Sequence, residues 1–314
     1  FNKRTGIYVN PEYHGREWER AGSLELLDPD DGFQINAGIR IRGGWSRHKV
    51  FVKHAFRIFF RKEYGKGKLV YPLFEDEGTD RFDKIDLRTS QNYSWANKTE
   101  TGAYNTFLRD IFSRDLQRDM GQPYTRSRFY HLFLNGCYWG LYQTQERSEA
   151  RYAVSYFGGN VEDYDVVKVD IGEHWDIYEI EATDGNLDAW KELYNLTVAG
   201  YKSDENYYKL QGKNLRGKRK PSLKVLVDLD NLIDFMIIIF YTGNFDSPLC
   251  KFRGDHDPNN FYALYNRNDN NKGFIFLIHD AEHGMFIDNV AVGKGLHENR
   301  VFVRKKLISY QKFT

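Results

Sequence analysis

Two runs of alternating, aromatic-rich residues, Ser127 to Leu134 and Cys137 to Thr144, are joined by Asn135-Gly136. Asn and Gly both accept the positive φ that a two-residue turn of matching twist demands, so this stretch is bound to form a tight β-hairpin. A chain committed to that hairpin carries an antiparallel sheet. The rest of the first third supplies partners for it. Ser23 to Leu27 and Phe33 to Arg42 flank Asp31-Gly32, and Val50 to Phe60 (VFVKHAFRIFF) is a β-rich run holding Lys53 and Arg57. Between them lies RGGWSR, residues 42 to 47.

Helices interrupt and then follow these strands. The spacing predicts a helix from about Tyr104 to Met120, stopped by Gly121 and Pro123. Leu108, Ile111, Phe112 and Leu116 share one face of it, and Asp115 falls inside that arc. A buried carboxylate needs a partner, and Lys53 is the cation this reading assigns to it. A short helix is expected from Ser148 to Tyr156, closed by Gly158-Gly159, with a lobe boundary near Glu146. Further on, Leu187 to Val198 shows helical spacing. A helix capped by Asp228 runs through NLIDFMIIIFY to Gly243, and strands Phe261 to Tyr265 and Phe274 to Ile278 flank NRNDNNKG. No internal repeat is present. The organisation read from this is α+β, with residues 1–146 β-rich around one helix and the Asn-Gly hairpin, and 147–314 more helical.

Composition narrows the functional classes. With 28% charged and 16% aromatic residues over 314 positions, the chain can bury a real core, and the length favours two domains or one two-lobed unit. A net charge of +1 gives no global reason to bind nucleic acid. Cys137 and Cys250 allow at most one disulfide, and no Cys/His zinc spacing occurs. The longest apolar stretch, Leu232 to Tyr241, is broken by Asp234 and is too short to cross a bilayer. No signal peptide is visible. The chain opens at Phe1 without Met and stops at Thr314 in mid-pattern, so both ends read as artificial.

The polar residues that carry chemistry fall in a particular order. Asn244-Phe245-Asp246 leaves an apolar helix for a loop, where a rigid element can aim side chains into a cleft; an ordinary helix-end turn has the same composition. Asp280 and Glu282 follow the strand FIFLI, and continued alternation would send both to one side, as hard oxygen ligands for Mg²⁺ or Ca²⁺. His279 and His283 do not form a zinc motif, because HEXXH requires Glu directly after the first His. Gly43-Gly44 could bend a loop over phosphates, although no Walker A sequence exists. The basic run Lys213, Arg216, Lys218, Arg219 and Lys220 is most simply a solvated loop, with docking of an acidic peptide as the functional alternative.

Taken together, these segments resemble the CotH family of secreted or spore-coat protein kinases. The resemblance rests on RGGWSR at 42–47 with KHAFRI at 53–58, LRDIFSRDLQRDMGQP at 108–123, and FYHLFLNGCYWGLYQTQER at 129–147. FYTGNFDSP at 240–248, NNFYALYNR at 259–267 and FIFLIHDAEHGM at 274–285 complete it. It implies a two-lobed protein-kinase-like fold, an N-terminal antiparallel sheet lobe plus a mixed helical lobe, with helices expected beyond Thr314. It also implies phosphoryl transfer from ATP, with Mg²⁺ (or Mn²⁺ or Ca²⁺), to Ser or Thr hydroxyls of a protein substrate, outside the cell, at its surface or in the spore coat. By the same resemblance Lys53 would hold the α- and β-phosphates with Arg42 nearby, and Asp115 would be the helix carboxylate opposite Lys53. A hinge at Glu146 would contact adenine, Asp246 would orient the hydroxyl, and Asp280, Asn260 and Glu282 would hold metal. Trp45 stands where the family has small polar residues, and Glu282 where many members have Asp. Two rival readings stay open: a non-catalytic surface or adhesion module that keeps the fold as a scaffold, and a metal-dependent hydrolase using Asp246, Asp280, Glu282 and a histidine.

Overall fold

The computed structural model of the chain describes residues 2–97, 100–171, 178–250, 258–285 and 312–313. The chain divides into two compact units, one made of Phe1–Phe107 and Arg126–Arg147, the other of Leu108–Thr125 and Ser148–Thr314. The sequence places segment 108–125 in the first lobe; its packing assigns it to the second unit.

The first unit is built on a six-stranded antiparallel sheet. Its strands are β1 (Arg20–Leu26), β2 (Phe33–Arg42), β3 (Ala55–Phe59), β6 (Lys84–Arg88), β7 (Ser127–Leu134) and β8 (Cys137–Gln145), in the order β1-β2-β3-β6-β8-β7. A small two-stranded ribbon, β4 (Leu69–Val70) with β5 (Arg81–Phe82), adjoins it in sequence. The hairpin expected at Asn135-Gly136 forms, with φ of 50° and 80° at the two turn residues, the both-positive pattern of a type I′ turn. Period-2 alternation sorts the side chains. Ile35, Ala37, Ile41, Phe56, Ile58, Ile85, Leu87 and Tyr142 form one buried apolar cluster. The opposite face carries Arg40, Arg42, Arg57, Asp86 and Arg88. Arg57 and Asp86 stand directly opposite one another in the register.

In the second unit the sheet is buried on both faces. Strands β9 (Tyr164–Ile171), β10 (Tyr178–Asp184), β11 (Phe261–Asn266), β12 (Ile275–Ile278) and β13 (Lys312–Phe313) run in the order β12-β11-β9-β10-β13, antiparallel except for β10 with β13. Val167 and Val169 face a core shared with α3 (Asp188–Ala199), α4 (Asp204–Leu210) and α5 (Leu229–Thr242). Tyr164 and Val166 face α2 (Ala150–Phe157). This double coverage explains why β9, YDVVKVDI, escapes a search for polar/apolar alternation.

Helix α1 (Arg109–Asp119) overturns the expected amphipathic face. Its buried residues are Asp110, Ser113, Arg114 and Gln117, whereas Leu108 and Phe112 are 56% and 37% exposed. The reason is what α1 covers. β12 is an edge strand, and its unpaired backbone groups need hydrogen bonds that leucine cannot offer. Gln117 supplies them, donating to Phe276 O at 2.8 Å and accepting from Ile278 N at 3.1 Å. Asn231 of α5 also accepts from Phe276 N at 2.6 Å.

Candidate functional site

Helix α5 begins and ends as its sequence dictates. Asp228 caps the start by accepting from Asn231 N at 3.0 Å. At the other end Gly243 turns left-handed at φ 61°, so that Gly243 N reaches Phe240 O and Asn244 N reaches Ile239 O, the paired bonds of a Schellman motif. That stop launches Asn244-Phe245-Asp246 into a tight turn in which the Asn244 side chain accepts from Asp246 N at 3.2 Å. The expected loop at the helix end is therefore present, and it is buried: Asn244, Asp246 and Ser247 are all almost inaccessible.

Three other segments converge on Asp246. Asn259 donates to its Oδ1 at 2.7 Å and Asn260 to its Oδ2 at 2.8 Å. The Cys250 thiol donates to Oδ1 at 3.3 Å, and His283 Nε2 lies 3.9 Å from Oδ2. Asp280 is close enough for its charge to act on Asp246. Burial pushes the Asp246 carboxyl above its ordinary range, the His283 charge and the Asn259 and Cys250 hydrogen bonds oppose this, and Asp280 adds to it. His283 moves down, again first through burial, with Asp246 and Asp280 resisting and Arg109 assisting. Both shifts drive the pair toward neutrality. A carboxylate so raised is a better proton acceptor near neutral pH than an ordinary Asp.

Asp280 and Glu282 do not continue the alternation of β12. The strand ends at Ile278, Asp280 turns left-handed at φ 51°, and Ala281–His283 form a single 3₁₀ turn, so period 2 no longer applies. Asp280 is half-buried beside the Asp246 cluster, while Glu282 is buried within the turn. Asn260 is also left-handed at φ 49°, a conformation Asn and Asp tolerate better than bulkier residues. The turn is held from both sides. Asp110 of α1 accepts from Ala281 N at 2.9 Å and is itself gripped by Arg114 at 2.5 Å. Met285 N donates to Thr242 O at 2.6 Å, tying the turn to the end of α5.

The donor set can be weighed against a hard cation. Asn259 Oδ1 is buried and accepts no hydrogen bond from a described residue, next to the Asp246 carboxyl. With Asp280 and the Asn260 side-chain oxygen it would make an all-oxygen donor set, the kind that suits Mg²⁺ held by one or two carboxylates with the remaining positions left to phosphate and water. Among the described residues no three His, Cys, Asp or Glu group into a metal centre, so a dense all-protein cage is not built here. Asn259 and Asp110 escaped the sequence reading. The doublet Asn259-Asn260 was the available signal for the first; nothing local marks the second.

Expected site residues of the first unit have partners within that unit. Arg42 is ion-paired with Asp86 at 3.0 Å, alongside the two-point Arg57 contact at 2.7 and 2.9 Å. Glu146 is buried and accepts from Arg126 N at 2.9 Å and Nη1 at 3.1 Å, locking the base of the β7–β8 hairpin. Lys53 lies two residues before β3 rather than within it. Its ammonium donates to Trp139 O, and burial lowers its basicity. Trp139 is the extra residue of a bulge in β8, where the register steps between Leu132/Gly140 and Phe133/Tyr138. Gly140, at φ 123°, leaves the room: a Cβ there would collide with Lys53 Nζ. Asp115 is not the buried acid of α1; it is half-exposed and pairs with Arg118 at 3.5 Å, whereas Asp110 occupies the buried position.

Neither cysteine is in a disulfide; Cys137 is exposed and Cys250 buried. No helix among the described residues is long and apolar enough to cross a membrane. No curated protein is similar enough to the chain to count as a match. Residues 39–307, most of the chain, match the family model described as CotH kinase protein, and with its α+β architecture the chain belongs to the CotH kinase family.

Proposed function

We propose that this chain transfers the γ-phosphoryl group of ATP to Ser or Thr hydroxyls of a protein substrate, at the cell surface or in the spore coat. The observation that carries the reading is Asp246, a buried carboxylate oriented by two asparagine amides, with Asp280 beside it and an Asn259 oxygen that accepts from no described residue. Phosphoryl transfer asks a protein chiefly for positioning and charge compensation, and this cluster offers both. Asp246 would accept the hydroxyl hydrogen and aim the oxygen. Asp280, Asn259 and Asn260 would hold Mg²⁺, which when bound neutralises phosphate charge. Lys53 would contribute the phosphate-binding cation.

A scaffold reading has its own support in the first unit, where Lys53 donates to Trp139 O and Arg42 pairs with Asp86. Incorporation of radiolabel from ATP into a generic Ser/Thr acceptor separates the two. The kinase reading expects incorporation by the wild type and a loss of at least about a hundredfold in Asp280→Ala, the scale of removing one charge-stabilising group. Equal incorporation by both proteins would overturn the metal assignment.

A further inference from the structure

The basic segment after α4 is unlike a solvated charge run. Seven lysines and arginines and no carboxylate lie between Asn206 and Val227, in a chain whose net charge is only +1. A merely soluble loop would be mobile and would intersperse signs. This one is built. Lys213 bridges Arg219, Gln211 bridges Val225, and Leu226 N donates to Leu210 O at 2.8 Å, so the segment folds back as an ordered hairpin against α4. Three of its cations are already engaged: Lys209 pairs with Glu205 at 2.8 Å, Lys213 donates to Gln211 Oε1 at 2.5 Å, and Arg219 is spent on that order. Arg219 donates to Gly212 O at 2.7 Å, Leu223 O at 2.8 Å, Asn270 O at 2.7 Å and Asn271 Oδ1 at 2.9 Å. Arg216, Lys218, Lys220 and Lys224 remain exposed on the frame it holds.

Beside this hairpin, between α3 and α4, is an open cleft of about 780 Å³. Lys191, Lys224 and the Glu205-paired Lys209 line it together with the apolar Leu196, Leu223 and Leu226, while Asp188 and Glu192 of α3 stand in the same lining. The volume falls in the range of pockets that take a few side chains rather than a flat surface. A uniformly anionic polymer would meet Asp188 and Glu192 and be repelled. A peptide can place an aliphatic side chain on the leucines, carboxylates toward the lysine-rich hairpin and amide N–H groups toward the two acids.

We infer that the α3–α4 cleft and its basic hairpin form a docking surface for an acidic peptide segment with aliphatic anchors. None of the residues lining the cleft belongs to the Asp246 cluster, so docking is separable from catalysis and does not rest on the kinase reading.

The test is fluorescence anisotropy of a short labelled peptide alternating Glu and Leu, against the full chain and a Lys218→Glu/Lys220→Glu/Lys224→Glu variant. All three positions are exposed, and thermal unfolding of the variant checks that the fold is kept. The inference expects saturable binding by the wild type, weakened at least about tenfold by the triple charge reversal and weakened by raising salt past physiological strength, where screening shortens. It also expects unchanged binding by Asp280→Ala, and no binding of a Lys/Leu peptide. Equal affinity of wild type and triple variant overturns it. Tighter, charge-reversal-sensitive binding of polyphosphate or of vesicles containing anionic lipid than of the peptide also overturns it, assigning the surface to another partner.

Discussion

Asp86 shows how one residue can organise a face of a sheet. It is buried on the polar side of β6, and burial alone would favour its neutral form. The charges of Arg57 and Arg42, the Arg57 hydrogen bonds and the Arg147 charge outweigh that and hold its carboxyl well below the ordinary carboxylate range. A depressed folded-state pKa contributes stability that is fully present above the unfolded value of 3.8 and is lost as pH falls toward the folded value. Asp86→Asn should therefore cost about 3 kcal/mol at neutral pH, the scale of leaving buried cations without their counter-charge. Urea unfolding of wild type and variant at neutral pH, at about pH 5 and at about pH 3 checks this. The gap between them should hold at the first two and narrow at the third; a constant gap would show that the carboxylate charge is not what the arginines use.

At the scale of elements, the informative event is the meeting of α1, α5 and β12. An edge strand ending in a tight turn must be covered without being mispaired, and here two side-chain amides take the place of a neighbouring strand. Gln117→Leu keeps approximate size and helix propensity but strips the side-chain partner from Ile278 N and leaves Phe276 O with only the longer Asn231 Nδ2 contact at 3.4 Å. The expected loss is about 1–3 kcal/mol for one unsatisfied backbone group. Amide hydrogen exchange should locate the loss at Ile278 and the following turn; uniform loosening of the whole unit would contradict the local role. The same place shows what could be read in advance. The β7–β8 hairpin and both ends of α5 are legible because Asn135-Gly136, Asp228 and Gly243 act through their own local backbone. The buried face of α1 is not, since hydrophobic periodicity selects Leu108 and Phe112 and has no means of recognising a polar stripe whose partners lie some 160 residues away in sequence. Asp280 departs from the expected face for a related reason: alternation holds only to Ile278, where the strand ends. Asp246 is marked by turn chemistry and Asn260 by the family resemblance, while Asp110 acquires meaning only through a contact with Ala281, 171 residues away in sequence.

For the whole molecule, the kinase and scaffold readings diverge in how stability responds to ligand. A ligand that binds only the native state at a hundred times its Kd stabilises by about 2.7 kcal/mol, and this holds whether or not chemistry follows. For an unfolding enthalpy typical of a chain this long, that is a rise of several degrees in Tm. In the kinase reading a cation would offset the charge of Asp280 beside the buried Asp246 carboxyl, so ATP with Mg²⁺ should stabilise more than ATP alone, and a chelator should erase the difference. Lys53→Ala then separates the remaining cases. If its ammonium serves phosphates, the variant loses most of the ATP-dependent rise and most turnover; if it serves only the bulge carbonyl of Trp139, Tm falls in the absence of ligand while the ATP-dependent increment is unchanged. A metal-dependent hydrolase would keep its activity in Lys53→Ala and lose it in Asp280→Ala. Absence of any shift with ATP, other nucleotides or divalent ions would leave the fold as a scaffold, with its asparagine-held carboxylate serving structure alone.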